Sequence, residues 1–261
     1  QAGTALTTDD ADGTVAIGYQ SLTALTDGAS NTAIGYKALL ENTIGDRNTA
    51  VGYGAMDDTL AGLQNDDNTA VGYNAMGGTW LTAASINNVA VGSYCMDDAM
   101  NAASNNTAVG HGALSELKTG TNNTVLGYLA GTSINSGSNN VAVGHEALDE
   151  LLTGSYNVAI GRQALNALDG AESENVAIGY FAGGAVDNDS STDNILIGSE
   201  TGTGGGGAMT DCIAIGSHAM KSTAANAQAG TIAIGSSALS ALTSGARNLA
   251  LGYNAAKLIT T

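Results

Sequence analysis

Asp187, Asp189, Ser191 and Asp193 alternate in the way that opens a calcium loop, where oxygen ligands at every second position converge on one cation. The sixth place of such a loop takes Gly for a sharp turn. Here it is Thr192, and no Glu closes the loop. Asp187, Asp189 and Asp193 are thus candidate calcium ligands, set against the reading of a solvated acidic turn. Gly202-x-Gly204-x-x-Gly207 has the glycine spacing of a dinucleotide fingerprint. It lacks the following helix and the βαβ context, and no Lys-Ser/Thr follows to make a phosphate loop, so the match is compositional. His111, His145 and His218 are the only histidines, and a zinc site needs three or four converging ligands. No Ser/His/Asp set can be assembled from spacing, so no catalytic residue and no organic cofactor is assigned.

The elements that position these residues come from a repeat. Asn-Thr-Ala-Val-Gly and its variants recur along the chain, and their glycines serve as anchors: Gly18, Gly35, Gly52, Gly72, Gly92, Gly110, Gly127, Gly144, Gly161, Gly179, Gly198, Gly216, Gly235 and Gly252. Gly18 to Gly252 covers 234 residues in 13 intervals, a mean of 18. A fixed period of this size marks a solenoid, a propeller or an array.

Each offset from the anchor has its own chemistry. Offset −4 is Asn in 11 of 14 units: Asn31, Asn48, Asn68, Asn88, Asn106, Asn123, Asn140, Asn157, Asn175, Asn194 and Asn248. Offset −3 is Thr, Val, Ile or Leu, offset −2 is mostly Ala, and offset −1 is Val, Ile or Leu. Offset +1 is often Tyr, as at Tyr19, Tyr36, Tyr53 and Tyr73; His111 and His145 occupy the same slot. Offset +3 is mostly Ala and offset +4 mostly Leu or Met.

The three residues before each anchor read as a short strand ended by Gly. Alternation puts offsets −3 and −1 on one face and offset −2 on the other. Both faces are apolar, so both need cover. One solenoid wall covers one; the second cover must come from the opposite wall or from another chain, which is the physical reason to expect an oligomer.

After the anchor the reading stays divided. Gln163-Ala164-Leu165-Asn166-Ala167-Leu168 has helical spacing and good helix formers. Gly28, Gly45, Gly120, Gly137, Gly154 and Gly245 then read as helix C-caps or as turn residues with positive φ. A second short strand is the competing reading.

The fold expected is therefore mainly β: a parallel β-solenoid of about 14 coils of 17–20 residues, with room for a short helical turn per coil. It runs as one repeat domain over 1–261, irregular at about 183–212. Offsets repeated from coil to coil should form side-chain ladders, with Asn amides bonded between coils and Tyr rings stacked. Cys95 and Cys212 sit seven coils apart, roughly 34 Å at the strand spacing. A disulfide needs Cα atoms within about 7 Å, so these two cannot bridge within one chain.

Composition narrows the partners. Net charge is −17, with no basic run, which disfavours nucleic acid. No apolar run reaches the length of a membrane-spanning helix, so no membrane insertion is expected. A chain that starts at Gln1 reads as a processed protein or a fragment.

The residues Asn-(Thr/Val)-Ala-(Ile/Val)-Gly-Tyr-x-Ala-Leu resemble the head repeats of trimeric autotransporter adhesins (YadA-like heads) and related repeats of phage tail fibres and bacterial surface proteins. The match covers residue 11 to about 256. The resemblance implies a left-handed parallel β-roll that trimerises about a fibre axis. It implies a place outside the cell, on a cell surface or a virion. The departure is the period, since adhesin-head coils are shorter.

The leading expectation is a non-catalytic structural or adhesive fibre segment, a homotrimer that binds a cell-surface glycan or protein receptor. A second is a self-assembling extracellular filament in which copies stack end to end. A third is a solenoid enzyme on polysaccharide. It would need a groove with paired carboxylates, whereas the acids here fall mainly in turns. Ice binding would need a regular Thr array, and Thr is inconstant at offset −3.

Overall fold

The computed structural model describes residues 1–3, 12–184, 186, 190–204, 207–223, 227–242 and 245–259. It is an all-β parallel β-solenoid of about 13 turns. Two compact units divide it, Gln1–Leu129 and Ala130–Thr261.

In the first unit seven three-residue strands stack in chain order: β1 (Val15–Ile17), β2 (Thr32–Ile34), β3 (Thr49–Val51), β4 (Thr69–Val71), β5 (Val89–Val91), β6 (Thr107–Val109) and β7 (Thr124–Leu126). Each pairs in parallel, offset on offset: Val15 faces Thr32, Ala16 faces Ala33, Ile17 faces Ile34. The second unit repeats this with β8 (Val141–Val143), β9 (Val158–Ile160), β10 (Val176–Ile178), β11 (Ile195–Ile197), β13 (Ile213–Ile215), β15 (Ile232–Ile234) and β17 (Leu249–Leu251). Two-residue strands form a further pair there, β12 (Met209–Thr210) with β14 (Gln228–Ala229), as do β16 (Ala241–Leu242) and β18 (Leu258–Ile259).

The anchor glycine is demanded twice over. Gly52 has φ of +144°, and a Cβ there would lie 2.1 Å from the carbonyl oxygen of Gly72 in the next coil. No L-side chain satisfies both the dihedral and the contact. Close stacking at this corner is what keeps the strands of neighbouring coils in register.

The short helical turn after the anchor is not there: among the described residues there is no helix. Offsets +2 and +4 instead take positive φ, as in Lys37 (58°) and Leu39 (50°), or Gln163 (56°) and Leu165 (49°). The reason is hydrogen-bond accounting. The N–H at offset +2 donates back to the preceding coil, Lys37 to Tyr19 at 2.9 Å. The N–H at offset +4 donates forward, Leu39 to Ala55 at 3.0 Å. A helix would spend these groups within its own segment and leave the coils unjoined. The left-handed Leu and Met residues, costly in isolation, are held by burial of their side chains: Leu22, Leu39, Met56 and Leu114 are all fully buried.

The core is a thin column. Ala33, Ala50 and Ala70 from the strands and Ala38, Ala55 and Ala75 from the arc are all fully buried. Leu25, Trp80, Met100 and Leu117 in the first unit and Ile134 in the second are fully buried as well. None of the glycines after the arc caps a helix, and of the turn readings Gly245 bears out the positive φ, at 101°. Gly28, Gly45, Gly137 and Gly154 do not have positive φ. A Cβ at Gly28 would lie 2.4 Å from Gly45 O, and one at Gly137 2.3 Å from Gly154 O, so contact with the next coil selects Gly there.

Candidate functional site

The asparagine ladder is buried and saturated. Every Asn from Asn31 to Asn194 at offset −4 is fully buried. Asn48 shows the pattern. Its N–H donates to Asn31 Oδ1 at 3.0 Å, its Nδ2 to Asn65 O at 2.6 Å, and its Oδ1 accepts from Asn68 N at 3.0 Å and Asn68 Nδ2 at 3.2 Å. The side chain thus bridges backbone as well as neighbouring amides, at the corner where the strand begins. In the second unit the ladder breaks. Cys212 holds the slot with Sγ 3.5 Å from Gln228 O, and Thr231 follows. Asn248 is half-buried, and its Nδ2 donates to Gly245 O at 2.9 Å.

The tyrosine ladder is on the surface. Tyr19, Tyr36, Tyr53 and Tyr73 stack with centroids 5.7, 4.9 and 5.1 Å apart and planes within 17°. The column continues through Tyr94 and His111 to Tyr128, first edge-on and then stacked. Tyr94 stands one residue beyond the regular slot, which Ser93 occupies, so offset counting alone misses it. Lys37 lies over the Tyr36 ring at 5.6 Å.

Beside that ladder lies the outer face of the strands. Offset −2 points in, and offsets −3 and −1 point out, partly or fully exposed along the whole array. Ile17 is 57 % exposed and Leu126 49 %. In the first unit the outward −3 residue is Thr in five of seven strands. In the second it is Val, Ile or Leu in all seven, and so is the −1 residue.

Charged groups gather in turns. Arg47 is chelated by Asp67 at 2.6 and 2.8 Å and lies near Asp46 and Asp66. The guanidinium holds the Asp67 carboxyl below its usual range. At offsets +5 and +6 of the first unit, Glu41, Asp57 and Asp97 have raised pKa values, chiefly by burial and then by neighbouring carboxylates; Asp97 is pushed up to about 6. Asp149 in the second unit is likewise pushed up to about 6 by burial. Glu200 pairs with Lys221 and lies 3.7 Å from His218.

The calcium candidates fall unevenly. Asp187 and Asp189 lie outside the described residues. Asp193 accepts a bond from Thr192 Oγ1 and raises the pKa of Glu174 in the preceding coil through a shared hydrogen bond. Among the described residues no set of three acidic, histidine or cysteine groups is arranged to hold a metal. Cys95 and Cys212 are both buried free thiols. His111 belongs to the aromatic column, and His145 lies 3.4 Å from Glu146. No ligand-sized pocket opens among the described residues.

Neither a protein-family model, nor a curated protein, nor a solved structure matches this chain.

Proposed function

We propose that the chain is a non-catalytic, structural and adhesive segment of an extracellular fibre, assembled from several copies and presenting its surface ladders to a cell-surface glycan or protein. A phage tail fibre or a bacterial surface adhesin, as the repeat motif resembles, is the setting that fits. The observation that carries the reading is the outer wall of the second unit. Seven strands there expose only Val, Ile and Leu at offsets −3 and −1, with no charge among them. A contiguous apolar strip of this kind marks an interface. A second and third copy of the same chain supply a matching surface, and the homotrimer is the assembly proposed. The Thr and Tyr of the first unit, wet and hydrogen-bonding, suit receptor contact.

Light scattering on the purified chain tests this. A soluble trimer supports the fibre segment. Long polymers favour the filament built by end-to-end stacking. A monomer at micromolar concentration overturns the assembly. Calcium at the Asp187–Asp193 turn remains part of the proposal; titration with no shift of the melting midpoint ends it.

A further inference from the structure

Oxidisable side chains are split between interior and surface. All six methionines, both cysteines and the single tryptophan are buried to within 1 %. Oxidation of sulfur follows exposure and thiolate character, and burial pushes the Cys95 thiol up to about 12, so it carries little thiolate at neutral pH. The tyrosines of the first unit are the opposite. Tyr19, Tyr36, Tyr53 and Tyr73 are 60, 38, 49 and 44 % exposed, and their rings are in stacking contact. A surface oxidant therefore meets phenols first, and meets them already paired.

We propose that the Tyr19–Tyr36–Tyr53–Tyr73 column is a site of oxidative modification, in which adjacent phenols couple and staple successive coils together. The oxidant is a peroxide acting through a one-electron oxidising haem catalyst. Each of two phenols gives up one electron and its hydroxyl proton. The two tyrosyl radicals join through a carbon–carbon bond between ring positions ortho to the oxygens. The hydrogens on those carbons then pass to the oxygens and restore both rings. In sum, two phenols and one hydrogen peroxide give one biphenol and two waters.

The stacked register supplies what coupling needs, since it holds the second radical next to the first. The backbone ladder fixes each pair: Lys37 N–H on Tyr19 O, Gly54 N–H on Tyr36 O and Asn74 N–H on Tyr53 O, all at 2.9 Å. The second unit contains its own comparison. Tyr156 stands at offset −5, while Tyr180 and Tyr253 are four coils apart at offset +1. They are 60, 45 and 78 % exposed, so they oxidise without a stacked tyrosine to join.

The test treats the full chain with a haem peroxidase and hydrogen peroxide, then maps peptides by mass. Expected are Tyr19–Tyr36, Tyr36–Tyr53 or Tyr53–Tyr73 cross-links, each lighter than its two peptides by two hydrogens. They are expected on chains that still run as single chains under denaturing conditions, with a yield unchanged by hundredfold dilution. Tyr36→Phe, which keeps the ring, should abolish the first two and leave Tyr53–Tyr73. The proposal is overturned if no coupling occurs, if coupling falls with dilution or joins separate chains, if Tyr156 and Tyr253 couple as readily, or if methionine is oxidised before tyrosine couples.

Discussion

The two units share their backbone and interior and part company on the outside. In both, Ala faces inward at offset −2 in six of seven strands, Gly turns the corner, and N–H groups run alternately to the coil before and the coil after. From Val15 to Leu126 the outer wall mixes Thr with Val and Ile, beside a nearly continuous aromatic column. From Val141 to Leu251 the wall is wholly aliphatic, and the neighbouring slot holds His145, Arg162, Tyr180, Ser199, Ser217, Ser236 and Tyr253. Stacking dictates the inward and corner residues and is indifferent to the outward ones. The outward residues are thus free to differ: Thr stands at offset −3 in five of seven strands of the first unit, and Val, Ile or Leu in all seven of the second.

The largest effects should be the same in both units. Gly52→Ala and Gly161→Ala each force a Cβ into a carbonyl of the next coil, 2.1 and 2.4 Å away, at φ of +144° and +134°. Each should cost about 3 kcal/mol or more in denaturant unfolding, from backbone strain plus overpacking. Gly62→Ala shares the positive φ, +83°, but meets nothing within 4 Å. It should cost only about 1 kcal/mol. Equal losses at Gly52 and Gly62 would remove close coil contact from the explanation.

The asparagine ladder separates the units next. Asn68→Ala strips a buried amide bonded on both sides within the run from Asn31 to Asn123 of the first unit. It should cost about 2–3 kcal/mol, because its partners are left buried. Cys212→Asn in the second unit should run the other way. It extends the ladder by one rung toward Thr231 and should gain about 1 kcal/mol. A loss there would mean that the coil has repacked around sulfur.

Acid titration should affect both units alike. Burial raises the Asp97 and Asp149 carboxyls to about 6. The folded chain then holds protons that the unfolded chain releases near pH 4. Their contribution is fully present below about pH 4 and is lost as pH rises to about 6. Asp97→Asn and Asp149→Asn should each remove on the order of 1 kcal/mol of that fall, after discounting for partial exposure. An unchanged slope in unfolding measured at pH 4 and pH 7 would contradict the assignment.

Half of each coil was legible from residue types. The strand, its inward Ala, the anchor Gly and the Asn column follow from offsets, because close stacking admits few alternatives at each. The arc was legible only in part: of its two readings the short strand forms in the last coils, as β16 and β18, and the helix in none among the described residues. Gln163 to Leu168 contains good helix formers, yet Gln163 and Leu165 adopt positive φ, since bonds between coils outweigh local propensity. The glycines at Gly28 and Gly137 invited a cap reading for the same reason: composition marks where Gly is required but does not tell dihedral from contact. Of the surface ladder, Tyr19 to Tyr73 could be counted off, whereas Tyr94 joins from an irregular slot that only the ring geometry reveals.

The aliphatic wall is best tested by sedimentation of two paired variants. Ile178→Lys with Ile195→Lys places charge on the wall of the second unit; Thr69→Lys with Thr107→Lys does so on the first. All four residues point outward, so the fold should survive in both, as circular dichroism can verify. The expected result is an oligomeric parent, a monomer from the Ile178/Ile195 pair, and an oligomer retained by the Thr69/Thr107 pair. A monomeric parent, or equal dissociation by both pairs, would contradict the assignment of the second wall to self-association.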